Sequence, residues 1–473
     1  MKYLVSVVAA LLFAYNAHAV ALPGTVTQLL KDAGIPLSSV AIEVREAGAR
    51  KPFLSLNADR PMNPASTMKL LTTYAALDML GPAYSWKTEA YLDGELKDGV
   101  LYGNLVLKGY GDPKFTLEQF WLWLRELRAR GLHEIRGDLV LDRSFFELPP
   151  HDPAAFDNDP VRAYNVGPDA LLLNFNTLRL RYLPDKNGMK VISEPPLDGV
   201  KLDNRLAPQS APKASRSNCD NWDDSITVQP DGDSVILQGG YPGECGEREQ
   251  HLSVMPHTRY VEAVFRALWQ ELGGSLKGKQ REGIASGNAQ LFSTHHSEPL
   301  SAVIRDINKF SNNVMARQLF LTLGGGDASK ERATPTNIER STRIVQDWLQ
   351  KQQLDFPELV LENGAGLSRN ERISAAHLAQ LLQHAAAHPL SAEFEASLPI
   401  LGVDGSVKKR LRESAAASHA HLKTGTLEGV KAIAGYVRSQ GGREWVVVFF
   451  INHPNAKYGQ AAQDALIEWA QGR

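Results

Sequence analysis

Apolar residues along this chain recur with two different periods, and the switches between them divide it. Near the start, TVTQLLKDAG has helical spacing, while SSVAIEVREAG and FLSLNADR read as two strands joined by a polar hairpin turn. A Pro-rich loop, RPMNPAS, then leads into a predicted helix over residues 66–80, STMKLLTTYAALDML, with Gly81 where a C-terminal cap belongs. The following stretch is dominated by strand-like runs (WKTEAYLD, VLYGNLVLKG, IRGDLVLD, TLRLRYL, SITVQ, SVILQGG) separated by turns such as GYGDP and PDGD. One helix interrupts them at residues 116–130: Thr116 and Gln119 fit a capping box, and Leu117, Phe120, Trp121, Leu124 and Leu127 share a face. From about residue 298 the helical period returns in LSAVIRDINKFSNNVMARQLFLTL, TNIERSTRIVQDWLQ and SAAHLAQLLQHAAA. The chain closes with strand-like HLKTG, VKAIAGYVRS and EWVVVFFIN and an amphipathic helix, YGQAAQDALIEWAQ. This order predicts one α/β domain interrupted by inserted β-rich domains.

Length agrees, since 473 residues at about 150 per domain suggest roughly three. The 51 Lys and Arg against 53 Asp and Glu leave a net charge of −2, so no global field draws nucleic acid or an anionic membrane. The first 19 residues, MKYLVSVVAALLFAYNAHA, have one cation at Lys2, an apolar run and a small-x-small end, which reads as a secretory signal peptide cleaved after Ala19. A membrane anchor needs about 20 apolar residues, and Asn16 and His18 interrupt the run too early. Cys219 and Cys245 are the only two cysteines and, in an oxidising compartment, read as one disulfide, with two free thiols as the alternative. The last helix presents Ala462, Leu466, Trp469 and Ala470 on one face; packing on its own domain is expected, with at most peripheral membrane contact.

Metal chemistry finds no support: there is no H-E-x-x-H, and His295-His296 reads as a solvated loop pair. No cofactor is implied, because Gly324-Gly325-Gly326 lacks the Lys-Ser/Thr of a phosphate loop. What the chain offers is Ser66-Thr67-Met68-Lys69 opening a helix, Ser311-Asn312-Asn313 between helical runs, and Lys423-Thr424-Gly425-Thr426 entering strands. Ser66 and Lys69, at i and i+3, share a helix face, so an amine sits beside a hydroxyl as nucleophile and base. The lysine serves only if desolvation or a second cation lowers its pKa, and Lys423 is a candidate for that cation. The helix N-terminus gives Ser66 a backbone N–H for an oxyanion hole, with Thr426 N–H as the second donor and Gly425 letting substrate approach the backbone. Lys423, Thr424 and Thr426 suit a terminal carboxylate, Ser311 a proton relay, and Asn313 a hold on Lys69 or the substrate amide. Ser406-Val407-Lys408-Lys409 also matches S-x-x-K, but it lacks the periodic helix that follows Ser66.

Together the three motifs are a known signature of β-lactamases and penicillin-binding proteins. Beyond them, the chain resembles the class C low-molecular-mass penicillin-binding proteins, the D-alanyl-D-alanine carboxypeptidase/endopeptidase family. The likeness runs through PASTMKLLTTYAAL, LVLKGYGDP, ENGAGLSR and LKTGTLEGV, and includes a long insertion between S-x-x-K and S-x-N that β-lactamases lack. It implies an α/β (α+β) transpeptidase/β-lactamase-like catalytic domain over 20–90 and 291–473, split by two β-rich inserted domains, one over 91–165 and 256–290 and one with the cysteines over 166–255. It also implies a periplasmic serine peptidase that cleaves D-Ala-D-Ala termini and D-amino-acid cross-links of peptidoglycan stem peptides through a Ser66 acyl-enzyme, with β-lactams as covalent inhibitors. Asp159 falls roughly where the family binds the amino end of the stem peptide, or is a turn aspartate; Arg369 faces the cleft or is structural. Whether Lys69 is the sole base stays open, and no deacylation base is assigned. Readings from other classes are a non-catalytic β-lactam or peptidoglycan sensor, a β-lactamase, and a structural periplasmic protein.

Overall fold

The computed structural model describes residues 21–185, 188–209, 219–326 and 334–473, so the expected leader lies outside the described residues. Five antiparallel strands form the central sheet: β1 (Val40–Glu46), β2 (Leu54–Leu56), β3 (Ala420–Leu427), β4 (Val430–Arg438) and β5 (Glu444–Asn452), in the order β3-β4-β5-β1-β2. The run WVVVFFI in β5 carries no polar alternation because both faces of the sheet are covered. Val446, Val448 and Phe450 share a core with residues of α2 (Lys69–Leu80), α3 (Leu300–Phe310), α4 (Asn313–Gly325), α5 (Ile338–Lys351) and α6 (Ala375–Ala386). Val447, Phe449 and Ile451 point the other way, onto Val26 and Leu30 of α1 (Gly24–Asp32) and Ala462, Leu466, Ile467 and Ala470 of α7 (Gln460–Gln471). The apolar face of the last helix is thus consumed by its own sheet.

The β-rich middle has cores of its own. Strands between Lys87 and Asp142 join Ser275–Leu276, Gln280–Glu282 and Gln290–His296 in a seven-stranded sheet covered by helices Leu117–Ala129 and His257–Glu271. The first of these helices has its capping box, Thr116 and Gln119 exchanging side-chain and backbone hydrogen bonds. His295 is not in a solvated loop as expected. It lies in a strand with its ring 4.8 Å from Phe115, and burial lowers its pKa to about 4. Two three-stranded sheets between Leu178 and Leu252 enclose Leu180, Tyr182, Leu237 and Tyr241, and Cys219–Cys245 is a disulfide beside them. The middle docks on α4, where the Gln318 amide donates to Asp169 O (2.8 Å) and accepts from Asp169 N (2.9 Å), and Arg317 Nη1 donates to Val166 O (2.9 Å). No helix among the described residues is long and apolar enough to cross a membrane.

Candidate active site

The α-helix begins at Lys69 rather than Ser66, which sits in a 3₁₀ turn over Ala65–Met68. Three clamps impose the tighter turn. Asn63 Oδ1 accepts from Ala65 N (2.9 Å) while its Nδ2 donates to Ser368 O (2.8 Å). Asn452, at the end of β5, holds Asn63 through N–H to Oδ1 and Nδ2 to O contacts of 2.8 and 3.0 Å. Ala65 takes φ +46°, and glycines press on the turn from both sides: a Cβ on Gly366 would lie 1.9 Å from Ala65 O, and one on Gly425 2.7 Å from Pro64 O. In 3₁₀ geometry i and i+3 eclipse, which brings Lys69 Nζ to 2.9 Å from Ser66 Oγ.

Lys69 is fully buried, and its Nζ has two further acceptors, Asn313 Oδ1 at 2.6 Å and the Ala365 carbonyl. Neither can donate in this arrangement. Charged, the amine donates to all three, Ser66 Oγ included; with one proton removed, its two N–H bonds go to those two acceptors and its lone pair faces the Ser66 hydroxyl. Burial first, then the Lys423 and Arg317 charges, hold the Lys69 pKa well below its ordinary value, against the opposing pull of Glu371.

Ser311 ends α3 in the left-handed region (φ 56°, ψ 36°), and Asn312 caps α4 by accepting from Met315 N, so the break between the helices projects both ends of S-x-N. Lys423, buried in β3, donates to Ser311 Oγ at 2.8 Å, and burial lowers its pKa to about 7. Thr424 Oγ1 lies 2.6 Å from Ser406 Oγ, while Thr426 is exposed on the same outer strand. Gly425 is required by the turn at Ser66, since its Cβ would also meet Ser66 N at 2.9 Å.

Asp159 and Arg369 stand apart from this cluster. The Asp159 carboxylate accepts from Arg162 Nε at 2.7 Å. Arg369 donates to Glu428 O at 3.2 Å and stacks 4.7 Å from the Phe156 ring, tying the loop that carries Asp159 to the turn after β3. Sequence reasoning missed Ala365, Asn63, Asn452 and Glu371, whose roles arise from tertiary contact. It also set Ser406 aside, although the repeated S-x-x-K match was a signal. No group of three or more His, Cys, Asp or Glu among the described residues is placed to hold a metal ion.

A family model described as the D-Ala-D-Ala carboxypeptidase 3 (S13) family matches residues 22–472. The chain belongs to that family. As an S13 member it is a D-Ala-D-Ala carboxypeptidase, a hydrolase of the penicillin-binding group. D-alanyl-D-alanine carboxypeptidase DacB of Haemophilus influenzae is 26% identical over 419 residues, spanning 88% of this chain and 85% of that protein. A D-alanyl-D-alanine carboxypeptidase of Actinomadura is 27% identical over 482 residues, spanning 97% and 86%. The crystal structure of penicillin binding protein 4 from Haemophilus influenzae shares the fold, with a TM-score of 0.76 at 24% identity over 93% of this chain and 99% of that one. A second structure of that protein, complexed with a β-lactam, has a TM-score of 0.73 at 24% identity, covering 94% and 99%.

Proposed function

We propose that this S13 carboxypeptidase acts through Ser66, with Lys69 as the base, and that it cleaves both D-Ala-D-Ala termini and D-amino-acid cross-links of peptidoglycan. The observation that carries the reading is the environment of Lys69 Nζ, whose two fixed acceptors leave its lone pair for Ser66. The Ser66 Oγ–H proton passes to Lys69 as Oγ attacks the penultimate D-Ala carbonyl. The resulting oxyanion lies between Ser66 N–H and Thr426 N–H. Collapse breaks the peptide bond, the leaving amine takes a proton relayed from Lys69 through Ser311, and D-Ala departs from the acyl-enzyme. Water attacks the ester, giving up its proton to the same lysine, and Ser66 Oγ recovers one as it leaves. Lys423, Thr424 and Thr426 hold the terminal carboxylate, and the Ser406 hydroxyl beside Thr424 adds a donor there.

β-Lactams acylate Ser66 by the same attack on their strained amide, as the β-lactam complex of the Haemophilus influenzae protein supports. We read residues 1–19 as a leader that delivers the enzyme to the periplasm, and 91–165 with 256–290 and 166–255 as the inserted domains of a catalytic unit spanning 20–90 and 291–473. Asp159 and Arg369 belong in this reading to the far, stem-peptide end of the cleft, supported by the Arg369 stack on Phe156 that links the loop of Asp159 to the turn after β3. The test is labelled penicillin together with defined muropeptides, monomeric and cross-linked. Wild-type protein is expected to label, release D-Ala and cut the cross-linked dimer, whereas Ser66→Ala does none of these. Unlabelled wild-type protein refutes the reading, and labelling without release makes the protein a sensor.

A further inference from the structure

Glu371 follows the loop that carries Ala365, and its side chain is completely buried. One carboxylate oxygen, Oε1, accepts three consecutive backbone N–H groups, from Glu362 at 3.1 Å, Asn363 at 3.0 Å and Gly364 at 3.1 Å. The other, Oε2, is buried with no hydrogen-bond partner among the described residues. With its amides drawn to Glu371, the loop turns carbonyls toward the helix that holds Lys69. Gly364 O accepts from Thr72 Oγ1 at 2.7 Å, and the next carbonyl, Ala365 O, accepts from Lys69 Nζ. Asn363 Oδ1 ties down Ala365 N at 2.8 Å, and Gly364 and Gly366 take φ of +67° and +76°, so the path is built from residues that tolerate it.

We propose that Glu371 is a positioning residue for Lys69. It fixes the Ala365 carbonyl that, with Asn313, receives the N–H bonds of the amine, and it brings a buried carboxylate behind the same loop. This rests on the reading of Lys69 as the base. The charged groups that face Glu371 are Lys69 from α2 and Arg317 from α4. Glu362, in the same loop, is engaged by Ser368 and Asn370. Burial drives the carboxyl of Glu371 upward while the three amides and Lys69 oppose it. In return, its negative charge raises the Lys69 pKa against burial, Lys423 and Arg317. Removing that charge therefore frees the amine at lower pH.

The two functions separate by substitution. Glu371→Gln keeps an oxygen for the three amides and loses the charge, whereas Glu371→Ala loses both. The assay is D-Ala release and labelled-penicillin acylation across pH 5–9, with melting curves and Ser66→Ala alongside. Glu371→Gln is expected to hold kcat on the plateau within about threefold and to move the acid limb of kcat/KM down by about one pH unit. Glu371→Ala is expected to lose at least about tenfold in kcat with KM unchanged. An acid limb for Glu371→Gln that coincides with wild type overturns the proposal, as does a wild-type kcat for Glu371→Ala. If the alanine variant does not fold, the glutamine profile decides alone. Release by Ser66→Ala would instead sink the underlying assignment of nucleophile and base.

Discussion

Gly425→Ala tests how tightly β3 is fitted to the nucleophile turn. The new methyl carbon would sit 2.7 Å from Pro64 O, 2.9 Å from Ser66 N and 3.0 Å from Ala65 Cβ. All three belong to the turn, two of them backbone atoms, and that turn is clamped by Asn63, Asn452 and Gly366. It cannot swing aside as a flexible side chain would. Restoring ordinary contact at about 3.4 Å requires strand and turn to part by about 0.7 Å. Overpacking of this kind costs about 1–3 kcal/mol. The same displacement moves Thr426 N–H away from Ser66 N–H, and misplacement near 1 Å costs about a hundredfold in rate. The expected result is a melting temperature lower by a few degrees and a kcat/KM for D-Ala release lower by about a hundredfold, or about 2.7 kcal/mol. Penicillin acylation falls in parallel because it uses the same N–H pair. An alanine variant acylated within threefold of the wild-type rate would refute the reasoning, since it would show that the strand position is not coupled to the nucleophile.

Asn313→Ala leaves Lys69 with one fixed acceptor instead of two; losing a hydrogen bond of about 1–3 kcal/mol predicts a fall in acylation rate of about 10–100-fold, measured by stopped-flow with a chromogenic β-lactam. Lys423→Met has a pH-dependent signature. Because the Lys423 pKa is about 7 in the fold against an ordinary 10.5, the unfolded chain binds more protons between those values, and the penalty is complete below pH 7. The Met variant should therefore melt above wild type at pH 6, lose that advantage as the pH rises toward 10, and release no D-Ala; an advantage that grows with pH would contradict the assignment. Replacing both Cys219 and Cys245 by Ser should lower unfolding stability by about 3–4 kcal/mol in urea titration and leave release from a small substrate unchanged.

The sequence disclosed those parts of the protein whose information is local. Capping at Thr116, the helix-forming run after Ser66 and the apolar run in β5 are decided within a few residues, and the three motifs emerge from or beside such segments. The start of α2 was misplaced because Asn452 and Gly366, both hundreds of residues away, tighten the turn at Ser66. The motif points Gly425 toward substrate approach, and only the fold shows that a side chain there would also collide with the turn at Ser66. Glu371 could not be found by pattern, because a charged residue in a polar loop reads as solvated until packing buries it. The same limit applied to His295, whose aromatic neighbours come from elsewhere in the chain.

The pairing of β1 with β5 joins segments about four hundred residues apart in the chain. A chain synthesised from its N-terminus therefore carries β1 without its main partner until residues 444–452 emerge. The middle sheets, built from hairpins such as residues 87–97 with 100–109, close short loops and have no such wait. The turn at Ser66 is equally dependent on late arrivals: its clamp ends on Asn452, the Lys69 amine beside it is held by Ala365, and its neighbouring strand starts at Ala420. The turn at Ser66 thus takes its final geometry only once residue 452 has been made, whatever order the other segments fold in.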